Sequence, residues 1–183
     1  MNLMLKKRLM CCSVISMICL GMMVKNADAK SVVETSGDIS QLIIPLSVYA
    51  STFIFDDDEG KTEFYESFFL NLGVTYGLKL SVDKTRPDGG SQSFPSGHTS
   101  VSFQGATFMY LRYGWKPAIP FYLGAAYVGW SRVDSKRHDT TDVLAGAAIG
   151  IASSYLFTKP FKGVTVTPLI KDDAIGLNFS VKW

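Results

Sequence analysis

The sequence predicts an all-α protein, an up-and-down bundle of about five helices with its functional site at one end, followed by a short C-terminal β-hairpin. Long segments with few charges alternate with short stretches rich in Gly, Pro, Asp and Ser, as helices alternate with loops. Hydrophobic residues make up 47% of the 183 positions, which is enough to bury a core. The apolar–polar alternation typical of strands is found only near the C-terminus.

The first 29 residues have the layout of a secretory signal peptide. Residues 6–8 are basic, Leu9–Val24 carries no charge, and Ala27–Ala29 is a small-x-small cleavage site. The uncharged stretch of 16 residues is shorter than the ~20 that span a bilayer. We therefore predict a signal peptide at 1–29, a helical domain at 30–162 and a hairpin tail at 163–183. The alternative is an uncleaved membrane anchor.

Cleavage would change the cysteine content and the charge of the chain. Cys11, Cys12 and Cys19 all lie in the predicted signal peptide, so the mature protein would have no disulfide and no thiolate metal site. Lys plus Arg would fall from 18 to 14 and Asp plus Glu from 16 to 15, a net charge of −1. A balance this close to neutral argues against nucleic acid as a partner. The remaining length suits one domain.

The first two helices are predicted on either side of an acidic run. Ile39–Phe55 is uncharged and mostly apolar, with Pro45 expected to kink it. Asp56–Glu59 is expected to be a solvated turn, with metal binding as the less supported alternative. The second helix is predicted at about Thr62–Leu80, because acidic residues such as Glu63 in its first turn suit the positive end of a helix dipole.

Two more helices are predicted after a loop at Ser81–Pro95 that is rich in Asp, Gly, Ser and Pro. The third helix is expected at Gly97–Tyr113, with Gly114 ending it. The fourth is expected at Pro117–Val133, since proline is favoured in a first helical turn.

The fifth helix is predicted at about Thr140–Thr158 and ends before Pro160. Its many Gly and Ala residues form a small-residue face that favours close helix packing. Val164–Ile170 and Ala174–Trp183 alternate apolar and polar residues and are predicted to form the hairpin, for which the sequence indicates no function.

Three short polar blocks contain both histidines of the chain. They are Lys79-x6-Arg86-Pro87, Pro95-Ser96-Gly97-His98 and Ser131-Arg132-x5-His138-x3-Asp142. In the predicted bundle, Lys79 ends helix two and His98 begins helix three. Arg132 ends helix four and His138 begins helix five. Antiparallel helices bring these points to one end of the molecule, so the blocks should converge on one site.

The chemistry of these residues indicates phosphoryl transfer. Lys79, Arg86 and Arg132 provide positive charge, and the arginines can form bidentate hydrogen bonds to phosphate oxygens. Ser96 and Gly97 at a helix start offer backbone N–H groups and the positive end of the helix dipole, and Ser96 adds a hydroxyl donor. Binding and charge stabilisation are most of what phosphoryl transfer requires of a protein.

The two histidines suit different roles in that chemistry. His138 and Asp142 are four residues apart and share a helical face, so the carboxylate can orient the ring and stabilise its positive charge as the histidine attacks phosphorus. His98 would protonate the leaving alcohol and then activate water. Each residue alone could be an ordinary surface charge, cap or ion pair; the joint spacing and order favour the catalytic interpretation.

The three blocks resemble the signature of the type 2 phosphatidic acid phosphatase superfamily, which also contains bacterial acid phosphatases and vanadium haloperoxidases. The resemblance extends from Lys79 to Asp142, and every signature position is present. It implies a helical bundle and a phosphatase that needs no metal or other cofactor. It also implies the roles given above for the phosphate-binding residues, the acid/base His98 and the nucleophilic pair of His138 and Asp142.

Membrane-bound relatives of this kind act on lipid phosphates, so the partners expected are a phosphorylated lipid and the membrane. The uncharged stretches Ile39–Phe55, Pro117–Ser131 and Val143–Thr158 are short for a span, at 17, 15 and 16 residues. Basic residues nevertheless fall where cytoplasmic turns would lie, namely at Arg112, Lys116, Lys159 and Lys162. We therefore predict a bacterial inner-membrane protein with a periplasm-facing site.

Alternative functions remain open on the sequence. One is a soluble periplasmic nonspecific acid phosphatase, and another is a phosphatase of undecaprenyl pyrophosphate. A vanadate-dependent haloperoxidase is disfavoured because those chains are usually much longer. A membrane or scaffolding protein with a vestigial site is disfavoured by the complete set of reactive residues.

Overall fold

The computed structural model describes residues 29–161, 164–171 and 174–181. Its helices are α1 (Ala29–Ile54), α2 (Asp58–Ser81), α3 (Gly97–Tyr113), α4 (Trp115–Asp134) and α5 (Thr140–Phe157). Strands β1 (Val164–Lys171) and β2 (Ala174–Val181) pair antiparallel, with Val164 opposite Val181. The predicted all-α fold is confirmed. The predicted signal peptide, apart from Ala29, lies outside the described residues, and its cleavage stays a prediction.

Three helices begin earlier than the sequence predicts. α1 begins at Ala29 rather than near Ile39, because the apolar stretch did not include the polar first part of the helix, where Glu34 and Asp38 contact Arg132. α2 begins at Asp58 rather than near Thr62, because Asp57 caps it by accepting a hydrogen bond from the Gly60 N–H. α4 begins at Trp115, so Pro117 lies in its first turn, where a backbone N–H has no partner within the helix. Pro45 lies inside α1, and the kink expected there stays a prediction.

The acidic run was expected to be a solvated turn, and this prediction is wrong for Asp57. The side chain of Asp57 is only 2% exposed and accepts hydrogen bonds from Arg112, at 2.5 Å from Nη2 and 2.7 Å from Nε. Glu63 and the more exposed Glu59 also pair with Arg112. Because a buried guanidinium needs counter-charge, part of the run is drawn into the protein and closes the bundle end away from the histidines.

α3 is the central helix and contacts each of the other four. α3 and α5 pack so closely that there is no room for a side chain at two α5 glycines, as the small-residue face predicted. A Cβ at Gly146 would overlap the backbone oxygen of Ser96, and one at Gly150 would lie 2.8 Å from the backbone nitrogen of Gln104. This backbone-to-backbone packing fixes the start of α3 against the start of α5.

Hydrogen-bonded polar side chains occupy much of the interior between α2 and α3. The Asn71 Oδ1 accepts from Ser100 Oγ at 2.6 Å, the hydroxyls of Ser100 and Thr75 are 2.8 Å apart, and Gln104 Nε2 donates to Ser67 Oγ at 2.9 Å. These bonds pair one polar atom each of Asn71 and Gln104 and fix α3 in register with α2; Asn71 Nδ2 and Gln104 Oε1 have no partner among the described residues. The register places the first turn of α3 beside the last turns of α2.

Candidate active site

A cavity of about 550 Å³ opens where α2 ends and where α3 and α5 begin. We call it the site cavity. Six of the eight predicted site residues line it: Lys79, Arg86, Gly97, His98, Arg132 and His138. The other two, Ser96 and Asp142, are fully buried and do not line it. Residues from three separate sequence blocks thus meet in one place.

Two of the three cationic residues that the sequence predicts reach the site cavity, one from α2 and one from the loop at 82–96. Lys79, in the last turn of α2, donates from Nζ to the backbone oxygen of Gln92 at 2.9 Å. Arg86 donates from Nε to the oxygen of Ser91 at 3.1 Å. Both contacts use carbonyls of the same loop, so the loop orients the two cationic side chains toward one space.

Arg132 is almost fully buried, and protein groups contact all three of its nitrogens. Nη2 donates to the backbone oxygen of Glu34 at 2.7 Å, Nε to Ser131 Oγ at 3.2 Å, and Nη1 to Asp38 Oδ1 at 2.6 Å. A guanidinium has five N–H groups, so donors remain for a phosphate. The side chain is held rigidly before any ligand binds.

Ser96 is the N-cap of α3, and its hydroxyl is already engaged. Its Oγ lies 2.9 Å from Thr99 Oγ1 and caps the backbone N–H of Thr99, while its own N–H donates to the oxygen of Asp142 at 2.9 Å. Ser96 therefore joins α3 to α5 beneath the wall of the site cavity. Because Ser96 is fully buried and does not line the cavity, the hydroxyl contact to phosphate that the sequence predicts would require this side chain to move.

His138 and Asp142 form a buried pair at the start of α5. His138 Nδ1 lies 3.4 Å from Asp142 Oδ2, which leaves Nε2 as the ring nitrogen not paired with the carboxylate. A capping box at Asp139 fixes this first turn, with the Asp139 side chain accepting from the Asp142 N–H at 3.0 Å. The imidazole is therefore oriented from behind while its ring borders the site cavity.

The electrostatic surroundings keep the His138 ring neutral. Burial, together with the positive charges of Lys79 and Arg86, lowers the pKa of His138 from its ordinary value of 6.5 to about 4. A neutral imidazole has a free lone pair at neutral pH. The same cations that would bind a phosphate thus prepare a nucleophile beside it.

Lys84 contacts the nucleophilic pair, and the sequence did not indicate this contact. Its Nζ lies 2.7 Å from Asp142 Oδ1 and 2.6 Å from Asp139 Oδ2, and Ser93 donates to the other oxygen of Asp142. These bonds raise the pKa of Lys84 and lower that of Asp139. Lys84 lies 58 residues from Asp142, so no local spacing could indicate the pair.

α1 supplies a second set of contacts that the sequence did not indicate. Asp38 Oδ1 lies 3.0 Å from His98 Nε2 as well as 2.6 Å from Arg132 Nη1. Glu34, one turn earlier, pairs with Arg137 Nε at 2.5 Å at the wall of the site cavity. The i,i+4 spacing of Glu34 and Asp38 was the only available signal: it places two acidic side chains on one helix face but does not show what they contact.

The chemistry of the site is that of anion binding. Among the described residues, no group of three or more His, Cys, Asp and Glu side chains could hold a metal ion. Four cationic side chains, a helix start and two histidines instead surround one cavity; the cations are Lys79, Arg86, Arg132 and Arg137. The arrangement can bind a tetrahedral anion, attack it with a neutral imidazole and exchange protons through a second imidazole.

Comparison with known proteins gives one family. The sequence profile of the PAP2 superfamily matches residues 56–163. A lipid A 4′-phosphatase of Helicobacter pylori is 31% identical, over 83% of this chain and 86% of the relative. A lipid A 1-phosphatase of Porphyromonas gingivalis is 36% identical over 60% of this chain, and the chain spans 24% of that longer protein.

A solved structure has the same fold. The crystal structure of LpxE from Aquifex aeolicus superposes with a TM-score of 0.61, covering 78% of this chain and 92% of its own, at 22% identity. The likeness supports the helical fold. α1 lies before the residues that the family profile matches, although it contributes Glu34 and Asp38 to the site.

Proposed function

The chain belongs to the PAP2 superfamily and is a phosphoric monoester hydrolase of that type, and from this premise we propose that it dephosphorylates a membrane lipid through a phosphohistidine, without a metal ion. One observation carries the mechanism: Lys79, Arg86 and Arg132 surround the same cavity as the two histidines. The cations would bind the phosphate oxygens and stabilise the charge of the transition state.

In the first step, His138 attacks phosphorus through Nε2, the nitrogen not paired with Asp142. The N–P bond forms as the bond from phosphorus to the lipid oxygen breaks. Protonated His98 gives its proton to that oxygen, and the dephosphorylated lipid leaves as an alcohol. The phosphorylated ring of His138 is cationic, and the buried carboxylate of Asp142 stabilises it.

In the second step, neutral His98 removes a proton from water as the water oxygen attacks phosphorus. The P–N bond breaks, inorganic phosphate forms, and His138 returns to its neutral state. His98 regains the proton that it gave to the alcohol, so the cycle balances. The depressed pKa of His138 supports this sequence, because the nucleophile is already deprotonated when substrate binds.

We propose a phosphorylated glycolipid of the lipid A type as the substrate. Two relatives bear the names of lipid A phosphatases, and one of them matches most of the chain. A cavity of about 550 Å³ has room for a phosphate and part of a sugar ring. Polar side chains such as Gln41 and Gln92 line it beside the cations and could bind hydroxyl groups.

The distribution of side chains supports a membrane-embedded enzyme. Among the residues whose side chains the structure describes, twelve large apolar or aromatic side chains on α1, α2, α4 and α5 are more than half exposed. They are Leu42, Leu46, Phe53, Phe69, Tyr76, Leu80, Trp115, Leu123, Trp130, Leu144, Tyr155 and Leu156. Many fully buried side chains are instead polar. Exposed apolar surface on this scale marks contact with another apolar phase, which we propose is the lipid hydrocarbon.

Within the described part of the chain, one helix, α5, is long and apolar enough to cross a membrane by length and composition. Trp115 and Trp130 lie near opposite ends of the 20-residue α4, whose length of ~30 Å matches a bilayer core. Tryptophan favours both membrane interfaces. We therefore propose that the bundle crosses the inner membrane with the site cavity on the periplasmic side.

One of the basic residues that favour this orientation is paired inside the protein. Arg112 was counted among the cytoplasmic charges, but Asp57 and Glu63 neutralise it inside the protein. Lys116 and Lys159 remain at that end of the bundle, and Lys162 lies outside the described residues. The orientation thus depends on fewer charges than the sequence suggested.

An assay of the purified protein in detergent, with chelator present, tests the proposed function. The panel contains lipid A carrying 1- and 4′-phosphates, phosphatidic acid, undecaprenyl pyrophosphate and a water-soluble nitrophenyl phosphate. We expect phosphate release from lipid A, inhibition by vanadate and no loss with chelator. A His138→Ala protein is the control. Activity that disappears with chelator and returns with a divalent metal would contradict the mechanism, and hydrolysis of soluble esters alone would contradict the lipid substrate.

A further inference from the structure

The site contains two histidine–carboxylate pairs, and only one is explained by the signature blocks. His138 pairs with Asp142, four residues along the chain, whereas His98 pairs with Asp38, 60 residues away. Asp38 belongs to α1, which the family profile does not match. The proton-transferring histidine therefore has a carboxylate partner that no signature position supplies.

Close packing brings α1 to the site. A Cβ at Gly37 would lie 2.5 Å from Arg132 Nη2, so glycine lets the helix pass directly against the guanidinium. Arg132 in turn donates to the backbone oxygen of Glu34 and to Asp38. The backbone and the side chain of α1 are thus both tied to Arg132, which holds the Asp38 carboxylate at His98.

A single oxygen of Asp38 makes both contacts. Oδ1 lies 3.0 Å from His98 Nε2 and 2.6 Å from Arg132 Nη1. With its second oxygen free of contacts to these two groups, the carboxylate can accept from Arg132 and from a protonated ring together. Arg132 reduces the freedom of Asp38, and Asp38 reduces the freedom of the imidazole.

We propose that Asp38 is the positioning residue for His98, so that α1 is part of the active site. The carboxylate holds the ring and stabilises its protonated form before the leaving oxygen takes the proton. After water has been deprotonated, the same contact stabilises the regenerated imidazolium. Asp38 itself exchanges no proton with the substrate. This inference rests on the proposed function.

The expected signature is a dependence on the leaving group. A lipid alkoxide needs protonation as it departs, whereas a nitrophenolate needs little. Loss of Asp38 should therefore slow phosphorylation of the enzyme by a lipid phosphate much more than by nitrophenyl phosphate. Hydrolysis of the phosphoenzyme should be slow with either substrate, because water activation also depends on His98.

The test measures phosphoenzyme formation by rapid quench with both substrates. The proteins compared are wild type, Asp38→Asn, Asp38→Ala, His98→Ala and the double variant Asp38→Asn/His98→Ala. Glu34→Gln is the matched control, since it removes a carboxylate from the same helix and the same cavity wall without touching His98. A thermal melt of each protein in detergent reports whether it is folded.

We expect Asp38→Asn to reduce the phosphorylation rate from lipid phosphate by about 10- to 100-fold, within or below the ~10²–10⁴-fold contribution of one proton transfer. With nitrophenyl phosphate the loss should be under about 3-fold, and phosphoenzyme should accumulate. The double variant should be no slower than His98→Ala, because Asp38 acts through that ring. Glu34→Gln should change the phosphorylation rate by the same factor with both substrates.

Three outcomes would overturn the inference. An equal loss on both substrates in folded Asp38→Asn and Asp38→Ala would assign Asp38 to the phosphate site through Arg132. Faster turnover with tighter vanadate inhibition would show that the carboxylate occupies the phosphate position and must leave it. A double variant much slower than His98→Ala would show that Asp38 acts independently of the His98 ring. Failure of wild type to form any phosphoenzyme would instead overturn the proposed mechanism itself.

Discussion

His138 shows how one residue can be prepared for reaction by its neighbours. Burial and the cations Lys79 and Arg86 disfavour its protonated form, while Asp142 favours it. In the free enzyme, burial and the two cations outweigh Asp142, so the ring stays neutral. When phosphate occupies the cavity, its negative charge offsets the cations, and the carboxylate can then stabilise the phosphorylated ring.

The activity against pH should report this balance. Protonation removes the nucleophile, so kcat/KM should rise with pH through about 4 rather than through the ordinary 6.5. In Lys79→Met one positive charge is gone, the pKa of His138 rises, and the acid limb should move to higher pH. Lys116→Met, which removes an exposed charge at the other end of the bundle, is the control. If the acid limb of the Lys79→Met profile still has its midpoint at about pH 4, the electrostatic explanation is contradicted.

Lys84 should matter more for turnover than for stability. It holds one oxygen of the buried Asp142, but its own side chain is about a third exposed to solvent, and Ser93 Oγ and the Asp139 N–H still donate to the other Asp142 oxygen when Lys84 is removed. In Lys84→Met we expect kcat to fall about 10-fold, or ~1.4 kcal/mol in transition-state free energy, with a small change in Tm. Lys84→Arg should retain most of the activity. Unchanged kcat in Lys84→Met would show that Ser93 and His138 alone hold Asp142.

At the scale of the helices, the contact of α3 with α5 fixes the geometry of the site. The start of α3 carries His98, and the first turn of α5 carries Asp142. Backbone atoms of the two helices meet at Gly146 and Gly150. A change in this spacing should therefore move the acid/base residue relative to the nucleophilic pair.

Gly150→Ala tests that packing. Its Cβ would overlap the backbone oxygen of Ser100, and backbone atoms cannot move aside as a flexible side chain can. We expect a loss of about 1–3 kcal/mol in unfolding free energy, typical of overpacking, measured as a lower Tm in detergent. Gly73→Ala is the matched control, because nothing lies within 4 Å of its Cβ. There alanine should be neutral or slightly stabilising. Equal melting temperatures for the two variants would contradict the account.

The sequence predicts the helices and the signature residues because their signals are local. His138 and Asp142 are four residues apart, and Gly114 ends α3 where predicted. The error at Asp57 has the opposite cause. Its partner Arg112 lies 55 residues away, so the run could only be judged by its composition, which is that of a solvated turn. Asp38 and Lys84 were missed for the same reason.

At the scale of the whole molecule, buried polar side chains lie beside two apolar clusters, one around Phe108 and one around Ile44, while many large apolar side chains are exposed. Hydrogen-bonded side chains such as Asn71 and Gln104 are buried, while Leu80 and Leu156 face outward. Segments of this bundle looked short for membrane spans when only uncharged stretches were counted. The helices are longer than those stretches, because each continues past the uncharged residues into charged ones, as α1 does at Glu34 and Asp38.

This arrangement predicts how the protein behaves on fractionation. We expect it in the inner-membrane fraction and resistant to extraction with alkaline carbonate, because the outward apolar side chains would be exposed to water on release. A known peripheral protein in the same membranes is the control. Recovery in the carbonate supernatant, or in the periplasmic fraction after osmotic shock, would contradict a membrane-embedded bundle and favour a soluble phosphatase.

The central claim is that His138 carries the phosphoryl group, and acid-labile phosphoenzyme trapped by rapid quench tests it most directly. With a labelled nitrophenyl phosphate, wild type should give a transient label. His98→Ala should give a label that accumulates, because water activation is lost while the nucleophile remains. His138→Ala should give none. A label that persists in His138→Ala and disappears in His98→Ala would contradict the account and reverse the roles of the two histidines.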